Sequence, residues 1–345
     1  MNVVYACDDK YAMLAGVSIE SLLRTNHDVD EIRVFVLTNG VSEENAQKLI
    51  SIAEQNHRKI NLVTVSAETF KSKKLCIDAQ RWSLAAFARL FTPQLLPDLD
   101  RILYLDCDTI VLGSLMDVWN VDLGSCTCAA VAEPFSAYHK KNVGMDKGEV
   151  YYNSGVMLID LDKWRNQDAI SLFVASIDRH RGRVPYVDQG VLNEVFRSKF
   201  YCLPAKYNVF TEYYDFSYGE VERYRADKVV YSEIEIEEAA KFPVIMHYVS
   251  SFMTPRPWVQ GSTHPYAQQW DEYCAYTPWK RAKKWSDTPG KSKLMLRWMF
   301  RCTPRRFAIW VAMIMNSYVR PMLDSAYCKK SAHAKASEKR QSIQK

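Results

Sequence analysis

The sequence predicts an α/β fold in which a mostly parallel sheet is flanked by helices, followed by a basic, aromatic-rich helical extension. Two observations lead to this prediction. Through most of the first 250 residues, short apolar runs alternate with segments of helical periodicity, which is typical of βαβ units and parallel sheets. After about residue 265, tryptophan and tyrosine are instead interleaved with lysine and arginine.

The elements of the predicted sheet follow one another along the chain. Residues 3–7 form a short apolar strand, and residues 11–25 then carry apolar side chains at helical spacing. Ser42 precedes an acidic turn and is expected to cap the next helix. Further strands are expected at residues 32–37, 60–65, 101–105, 128–132, 155–159 and 243–248. Further helices are expected at residues 169–180, 188–197 and 83–97, the last of them stopped by Pro93 and Pro97.

Composition excludes several classes of protein. Of the 345 residues, 48% are apolar and 25% are charged, as in ordinary globular proteins, and no apolar run reaches the roughly 18 residues of a membrane span. The nine cysteines include no Cys-x-x-Cys pair, so we expect reduced thiols rather than a zinc site or a disulfide framework. The first residues lack the features of a signal peptide, and we therefore expect a cytoplasmic protein.

Charge is distributed unevenly along the chain. Residues 280–345 carry 17 basic and 3 acidic side chains, a net charge of +14, whereas residues 1–279 carry a net charge of −9. An acidic body argues against nucleic acid as a partner, and the basic segment requires an anionic partner of its own. We therefore expect a catalytic domain at residues 1–279 and a separate function for the segment that follows it.

Residues 280–328 contain an apolar stripe at helical spacing. Its members are Phe307, Trp310, Val311, Ile314 and Tyr318. The stretch is too short to span ~30 Å of hydrocarbon, but a basic, tryptophan-rich helix suits the interface of an anionic bilayer. The alternative is a helix packed on the body, with its arginines in solvent. Residues 329–345 are polar, and we expect them to be disordered.

Aspartates two positions apart occur at four places in the chain, and one pair stands out. Asp106 and Asp108 directly follow the strand predicted at residues 101–105. Side chains two residues apart on a strand face the same way. Two carboxylates at the carboxyl end of a strand predict a divalent-cation site that holds a phosphorylated ligand. The alternative is a pair of solvated turn aspartates.

Two further possibilities bear on this pair. His247 ends another predicted strand and is a candidate metal ligand, although a lone histidine of this kind is more often a hydrogen-bonded structural residue. Asp106 could instead be the nucleophile of an aspartyl-phosphate phosphatase. Such enzymes need threonine or valine two residues after the second aspartate, and Ile110 stands there, which weakens this alternative.

Several segments, in order, resemble the retaining glycosyltransferases of family 8, and most closely the bacterial lipopolysaccharide galactosyl- and glucosyltransferases. They are ACDDKYAMLAGVSIESLL at 6–23, FARL at 87–90, RILYLDCDTIVLGSL at 101–115, VGMDKGEVYYNSGVMLIDLDKWR at 143–165, YVDQGVLNEVF at 186–196 and IMHYVSSFMTPRPW at 245–258. The resemblance spans about residues 1–275. It implies a GT-A fold with a Rossmann-like sheet, a UDP-galactose or UDP-glucose donor, and Mn²⁺, with Mg²⁺ as a second possibility.

The resemblance also implies roles for individual residues. It places Asp106, Asp108 and His247 at the metal and Gln189 beside the anomeric carbon of the donor. The residues implied at the nucleotide or its phosphates are Ala6, Asp8, Tyr11, Arg89, Asp106, Cys107 and Arg256. The residues implied at the donor sugar are Asn153 and Asp188. An amide is a weak nucleophile, so we favour front-face displacement over a covalent intermediate at Gln189.

Four of these residues also have an ordinary structural interpretation. Tyr11 could be a core aromatic residue, Arg89 a surface ion pair, Asn153 a turn residue and Asp188 the cap of the helix at 189–197. The sequence departs from the family pattern at three points. These are Lys10 in place of an amide, a longer segment after His247 that ends in Arg256 rather than lysine, and Glu133 in place of aspartate.

The expected function is therefore a metal-dependent retaining hexosyltransferase that acts on a lipid-linked or cell-surface glycan, on the inner face of the cell membrane. Two alternatives from other classes remain open at this point, the phosphatase and a non-catalytic glycan-binding protein. A third alternative keeps the fold but changes the acceptor, as in a protein glycosyltransferase or a self-glucosylating primer of glycogenin type.

Overall fold

Two β-sheets organise the protein. The computed structural model describes residues 1–65 and 84–325, and all elements below lie within these ranges. The strands are β1 (Asn2–Cys7), β2 (Arg33–Thr38), β3 (Lys59–Thr64), β4 (Arg101–Leu105), β5 (Thr109–Val111), β6 (Cys128–Ala132), β7 (Tyr152–Asp160), β8 (Phe200–Cys202), β9 (Val209–Phe210) and β10 (Ile245–His247).

Helices connect and cover these strands. In chain order they are α1 (Ala12–Thr25), α2 (Glu43–Gln55), α3 (Leu84–Ala88), α4 (Thr92–Leu95), α5 (Met116–Trp119), α6 (Ala137–Asn142), α7 (Leu161–Asn166), α8 (Ala169–Arg179), α9 (Val187–Phe196), α10 (Glu212–Asp215), α11 (Tyr218–Arg225), α12 (Glu233–Lys241), α13 (Ala267–Ala275), α14 (Lys291–Cys302) and α15 (Arg305–Ile314).

The larger sheet has seven strands in the order β3-β2-β1-β4-β7-β6-β8. Its pairings are parallel except where β7 meets β4 and β6. This confirms the predicted α/β fold with a mostly parallel sheet. Strands that are covered on both faces read as continuous apolar runs, and residues 3–5 of β1 are accordingly fully buried.

A second sheet of three strands, in the order β5-β10-β9, carries the other half of the site. Its central strand β10 pairs antiparallel with β5 and parallel with β9. The strand predicted at residues 243–248 is thus shorter than expected and lies outside the larger sheet. Since β5 begins four residues after β4 ends, the turn between them, residues 106–108, lies where the two sheets meet.

The helix predicted at residues 83–97 is interrupted. Residue 83 lies outside the described residues; beyond it, α3 ends at Ala88, a short 3₁₀ turn spans Arg89–Phe91, and α4 follows. The prediction that Pro93 stops the helix is wrong, because Pro93 occupies the first turn of α4, where a missing N–H is tolerated.

The helix after β7 begins with an aspartate cap. Asp160 is the N-cap of α7, and its side chain accepts a hydrogen bond from the Lys163 N–H at 2.8 Å. Asp162 lies in the first helical turn, where a carboxylate favours the positive end of the helix. The capping of α2 by Ser42 is confirmed.

The segment after residue 280 packs on the body through small side chains. Helix α15 buries Ala308, Ile309 and Ala312, and the chain that follows it is held by hydrogen bonds. Ser136 Oγ donates to the carbonyl of Ser317 at 2.9 Å, and Ser317 Oγ donates to the carbonyl of Tyr224 at 2.9 Å. The buried face is therefore offset from the stripe identified in the sequence.

The opposite face of this segment presents large aromatic side chains to solvent. Phe307 and Trp310 of α15 are 49% and 54% exposed, and Trp298 of α14 is 61% exposed. Leu294 and Met295 are exposed on the same helix as Trp298. Among the residues described, no helix combines the length and the apolar character that crossing a bilayer requires.

Candidate active site

The candidate active site is a cavity of about 430 Å³ where β1 and β4 end. In open α/β sheets, ligands bind at the carboxyl ends of the strands. The residues predicted for the donor and reacting centre that line this cavity are Ala6, Asp8, Tyr11, Arg89, Asp106, Cys107, Asp108, Asp188 and Gln189. Three others, Asn153, His247 and Arg256, lie behind the wall and reach it through hydrogen bonds or ion pairs.

One end of the cavity is built by the turn after β1. Asp8 Oδ1 accepts a hydrogen bond from the Tyr11 N–H at 3.1 Å and so caps a short 3₁₀ turn. Cys107 Sγ donates to the Ala6 carbonyl at 3.2 Å, which ties this turn to the aspartate turn after β4. Burial raises the pKa of the Tyr11 hydroxyl, which keeps it protonated as a hydrogen-bond donor.

Three candidate metal ligands converge at the junction of the two sheets. Asp106 and Asp108 occupy the turn between β4 and β5, and His247 ends β10. His247 Nε2 lies 3.2 Å from Asp108 Oδ1 and 3.8 Å from Asp106 Oδ2. One ligand atom from each residue lies within 4.8 Å of the others. Two carboxylates and an imidazole form a mixed oxygen and nitrogen set that suits Mn²⁺.

The hydrogen bond on the far side of His247 fixes which nitrogen faces the carboxylates. His247 Nδ1 lies 2.9 Å from Asn208 Oδ1, and Asn208 Nδ2 donates to Asn153 Oδ1 at 2.9 Å. Since Nδ2 of Asn208 is a donor, its Oδ1 must accept, and Nδ1 of His247 carries the proton. Nε2, which faces Asp106 and Asp108, is then the nitrogen that would lose its proton and donate its lone pair to a metal ion. Such an outer partner is typical of metal-binding histidines.

Gly155 makes room for this imidazole. A Cβ atom at position 155 would lie 2.2 Å from His247 Cε1, closer than any side chain can approach. The Gly155 N–H also donates to Asn153 Oδ1 at 2.8 Å. Glycine is therefore required here because the ring of His247 occupies the place of a side chain.

The charges around Asp108 keep it ionised. Burial alone would raise the pKa of Asp108, but His247 and then Arg256 lower it to about 2. Arg256 Nη2 lies 3.2 Å from Asp108 Oδ2. Burial lowers the pKa of His247, but the charge of Asp108, the hydrogen bond to it and the charge of Asp106 together raise it above its usual value.

Arg89 is buried and connects the two sides of the cavity. Its side chain is only 5% exposed, and its Nη2 lies 2.6 Å from Asp106 Oδ1. Its Nε lies 2.8 Å from Asp188 Oδ2, and the two form an ion pair although the N–H does not point at the oxygen. The guanidinium carbon lies 3.9 Å from the centre of the Tyr104 ring, on which the group stacks. The alternative of a surface ion pair is thus wrong.

Asp188 lies in the first turn of α9 and is not its cap, since the helix begins at Val187 with Tyr186 as N-cap. Burial raises the pKa of Asp188 to about 6, although the Arg89 guanidinium opposes this effect. Ser154 Oγ donates to Asp188 Oδ2 at 3.2 Å. The carboxylate is therefore held between Arg89 and Ser154, facing the cavity.

Glu133 joins Asn153 to Gln189. Asn153 lies within β7, so it is not a turn residue, and its Nδ2 donates to Glu133 Oε2 at 2.9 Å. Gln189 Nε2 donates to the same oxygen at 3.2 Å, and Gln189 Oε1 accepts from the Ser154 N–H at 3.0 Å. A continuous polar chain thus runs from His247, through Asn208, Asn153 and Glu133, to Gln189.

The backbone just before this helix is strained. Tyr186 and Val187 have φ values of 62° and 58°, a region that β-branched residues rarely adopt. A Cβ on Gly190 would lie 1.9 Å from the Pro185 carbonyl oxygen. Such backbone persists only where packing determines it, and here it directs Asp188 and Gln189 into the cavity.

This geometry agrees with comparisons to known proteins. The family described as Glycosyl transferase family 8 matches residues 2–260. The chain belongs to glycosyltransferase family 8. It is therefore an enzyme, a glycosyltransferase, and the phosphatase and non-catalytic alternatives are excluded.

Individual relatives of this glycosyltransferase cover most of its length. General stress protein A of Bacillus subtilis (strain 168) is 25% identical over 283 residues, which cover 81% of this chain and 94% of that protein. Lipopolysaccharide 1,2-glucosyltransferase of Escherichia coli (strain K12) is 26% identical over 310 residues, 87% of this chain and 84% of that protein. The predicted resemblance to lipopolysaccharide glycosyltransferases is confirmed.

A solved structure confirms the fold. The galactosyltransferase LgtC, crystallised in complex with donor and acceptor sugar analogues, has a TM-score of 0.65 and 26% sequence identity to this glycosyltransferase. The similarity covers 85% of this chain and 98% of that one. The GT-A fold, with its helical carboxy-terminal extension, is thereby established.

Sequence reasoning missed several residues of this site in the glycosyltransferase. Asn208, which orients His247, lies in a loop with no periodicity and no motif. Glu133 stood out only as a departure from the family pattern, and no sequence signal marks Arg225, which lies 3.1 Å from Glu133 Oε1. Ser154 could have been found, because it stands directly after Asn153 in the same motif.

A second cavity, of about 220 Å³, adjoins the first. The two share Tyr186 and Gln189 in their walls. The second cavity also contains Asn316 and Arg320, from the segment after α15. A molecule in the second cavity would therefore contact the carboxy-terminal extension and lie next to Gln189.

Proposed function

We propose that this glycosyltransferase transfers galactose or glucose from a UDP-sugar to a lipopolysaccharide-type glycan, with retention of the anomeric configuration and with a divalent cation. The observation that carries the proposal is the group of Asp106, Asp108 and His247, with its imidazole oriented by Asn208 and with both aspartates in the same cavity as Gln189. These residues bring a candidate cation site and a candidate sugar site together.

The donor set fits a divalent cation. Asp108 is ionised at neutral pH and His247 presents Nε2, so carboxylate oxygens and an imidazole nitrogen are available together. Mn²⁺ suits this mixture better than Mg²⁺, which prefers oxygen ligands. A cation held there would supply Lewis-acid stabilisation of the charge that develops on the leaving diphosphate. The lining of the cavity by Ala6, Asp8 and Tyr11 supports the placement of the nucleotide beside it.

Arg256 and Arg89 provide the positive charge that the protein itself contributes. Arg256 lies beside Asp108, and we assign it to the phosphates. Arg89 holds Asp106 and Asp188 at once, so we assign it the positioning of both. Cys107, in the wall between them, contacts the donor through its place in the aspartate turn.

At the reacting centre we assign the donor sugar to Asn153, Asp188 and Gln189. Gln189 Oε1 already accepts a hydrogen bond from the Ser154 N–H, which lowers the nucleophilicity of an amide oxygen further. We therefore favour front-face displacement through an oxocarbenium-like state, in which Gln189 stabilises positive charge at the anomeric carbon. Retention then requires no covalent intermediate.

The test is a panel of nucleotide sugars assayed for UDP release with Mn²⁺, with Mg²⁺ and with EDTA. We expect release from UDP-galactose or UDP-glucose with Mn²⁺, and loss of turnover in His247→Ala, since that variant lacks one ligand. Nuclear magnetic resonance of the transferred sugar should show the anomeric configuration of the donor. Undiminished activity in EDTA, or an inverted product, would contradict the proposal.

An intact-mass measurement tests the alternative of a self-glucosylating primer. After incubation with the UDP-sugar alone, the protein should keep its mass if its acceptor is a separate glycan. Increments of one hexose on the chain itself would instead favour the glycogenin-type reaction.

We further propose that the extension attaches the enzyme peripherally to the anionic inner face of the cell membrane. Support comes from the exposed Trp298, Phe307 and Trp310 beside exposed arginines, because aromatic and basic side chains together favour an anionic interface. Phe307→Ser with Trp310→Ser should abolish co-sedimentation with phosphatidylglycerol vesicles. Phe242→Ser, at an exposed phenylalanine of the body, is the control. Unchanged binding of the double variant would refute the attachment.

A further inference from the structure

The second cavity lies where an acceptor must approach. It shares Tyr186 and Gln189 with the donor cavity, so an acceptor hydroxyl placed here can reach the anomeric carbon. The carboxy-terminal extension contributes Asn316 and Arg320 to the wall. The extension is therefore in a position to recognise the acceptor as well as to pack on the body.

The charged side chains that line this cavity differ in how they are paired. Arg225 holds two carboxylates, at 3.1 Å from Glu133 Oε1 and 2.7 Å from Glu212 Oε2, and of their oxygens only Oε1 of Glu212 is buried without a hydrogen-bond partner among the described residues. Asp215 nearby accepts hydrogen bonds from the hydroxyls of Ser251 and Thr254. Arg320, in contrast, has no ion-pair partner within residues 1–65 and 84–325.

A third cavity, of about 250 Å³, meets the second at Ser250 and Ser251. It is lined by Lys293, a second cation without an ion pair in the described ranges. Lys293 Nζ donates to Ser250 Oγ at 3.1 Å. Arg256 and Arg297 line the same cavity, but each already pairs with an aspartate. Lys293 is half-buried and, in the part of the chain that the structure covers, lacks a carboxylate partner.

Lys293 and Arg320 are therefore two cations without an ion pair among the described residues. Burial, followed by the charges of Arg256 and Arg297, lowers the pKa of Lys293; the charge of Asp287 opposes this effect and that of Arg320 adds to it. Elsewhere the protein pairs such cations, as where Lys140 Nζ lies 2.7 Å from Asp227. An anionic ligand would supply the missing charge, with hydroxyl and amide groups available beside it.

We propose that Lys293 and Arg320 form a subsite for an anionic group, a phosphate monoester, on the acceptor glycan. The proposal rests on the proposed function, because it takes the second cavity as the acceptor site. It narrows the substrate class to glycans that carry a phosphate close to the hydroxyl that receives the sugar.

A lipid headgroup could offer the same chemistry, but the position of these cations favours the glycan. Arg320 lines the cavity that also contains Gln189, and Lys293 lines the cavity that meets it at Ser250 and Ser251. Arg301 and Arg306 are exposed, as is Arg320, but they line none of these three cavities. We therefore assign Arg301 and Arg306 to a lipid surface and the cavity-lining pair to the acceptor.

The test is calorimetric binding of glucose 6-phosphate and of glucose to the full-length protein, saturated with UDP and Mn²⁺ so that the donor site is filled. We expect glucose 6-phosphate to bind at least about tenfold more tightly than glucose, because hydrogen bonds to charged groups are stronger than those between neutral groups. Lys293→Met and Arg320→Met, which keep the length of the side chain, should each remove most of this preference.

Arg301→Met and Arg306→Met are the matched controls and should leave the preference unchanged. Equal binding of the two sugars, no binding of either, or equal losses in the controls would overturn the proposal. Phosphatidylglycerol vesicles form a separate arm. If Lys293→Met and Arg320→Met lose vesicle binding but keep the preference for glucose 6-phosphate, the two cations bind lipid headgroups and the subsite assignment is wrong.

Hydrolysis of the UDP-sugar, measured on the same preparations without acceptor, separates this proposal from the proposed function. If the wild-type protein hydrolyses a donor but shows no preference for the phosphorylated sugar, only the subsite fails. If no donor is hydrolysed, the proposed function fails. The subsite proposal is then decided by a separate measurement. It is supported if Lys293→Met and Arg320→Met weaken the binding of glucose 6-phosphate, and it is wrong if they do not.

Discussion

Replacing Asn208 with alanine should weaken Mn²⁺ binding although Asn208 is not itself a candidate ligand. Its Oδ1 accepts from His247 Nδ1 at 2.9 Å, and its Nδ2 donates to Asn153 Oδ1 at 2.9 Å. Without this acceptor, the proton of His247 is no longer fixed on Nδ1. The ring can then present N–H instead of a lone pair to Asp106 and Asp108.

The size of the effect follows from the two hydrogen bonds that the truncation removes. Loss of such an outer partner typically lowers metal affinity by about 10- to 100-fold, which corresponds to roughly 1.4–2.7 kcal/mol. The truncation also leaves Asn153 Oδ1 with one donor fewer, and the buried imidazole without its acceptor. We therefore expect an additional loss of about 1–3 kcal/mol in the free energy of unfolding.

The assay is calorimetric titration of Mn²⁺ into the folded protein in the presence of UDP, which does not depend on turnover. Asn26→Ala is the control, because Asn26 is equally buried but its side chain binds only backbone groups of Leu22, Gly113 and Leu115. It should cost stability without changing Mn²⁺ affinity. Wild-type affinity in folded Asn208→Ala protein would refute the role assigned to Asn208.

Three further predictions concern other residues in the interior of the protein. Gly155→Ala places a Cβ 2.2 Å from His247 Cε1, so Mn²⁺ affinity in the same titration should fall at least about tenfold; unchanged affinity would contradict this packing. Arg89→Met leaves the buried carboxylate of Asp188 and the partly exposed carboxylate of Asp106 without their cation, and urea unfolding should show a loss of about 3–5 kcal/mol; a loss below about 1 kcal/mol would mean that the carboxylates find other partners. Burial lowers the pKa of His139 to about 3 and that of His264 to about 4, so between these values and about 6.5 the unfolded chain binds protons that the folded chain does not. The contribution of these two histidines to the free energy of unfolding is therefore complete above about pH 6.5 and is lost as the pH falls towards 4. Urea unfolding at about pH 7.5 and about pH 5 should differ by roughly 1–2 kcal/mol per histidine. The raised pKa of Asp188 acts in the opposite direction, so the readout is the variant: His264→Asn should remove one share of the histidine contribution, and an unchanged pH dependence in that variant would count against a buried neutral His264.

The sequence was most informative where the site is local in the chain. Asp106 and Asp108 follow a strongly apolar strand, and β-strand geometry alone places both at its carboxyl end. Similarly, Asp188 and Gln189 are neighbours in one turn of α9. Most strands and helices could be predicted because their periodicity reflects which face is buried.

Relations made only by tertiary folding were not accessible in this way. Asn208 reaches His247 across 39 residues, and the two occupy different elements of the smaller sheet region. Asp160 and Asp162 both had the chemistry of a helix cap, and only the length of β7 decides between them. Arg89 looked like a surface residue because nothing local shows that its two carboxylate partners surround it.

The three candidate ligands are divided between the two sheets. Asp106 follows β4 of the larger sheet, whereas His247 ends β10 of the smaller one, and 139 residues separate Asp108 from His247. An ion bound to all three would close a chain loop of that length and act as a cross-link between the sheets. Its binding would add to the stability of the fold by mass action, about 2.7 kcal/mol at a free concentration 100-fold above the dissociation constant. The melting temperature would then report metal occupancy, and the metal supply of the cell would govern the lifetime of the enzyme as well as its rate.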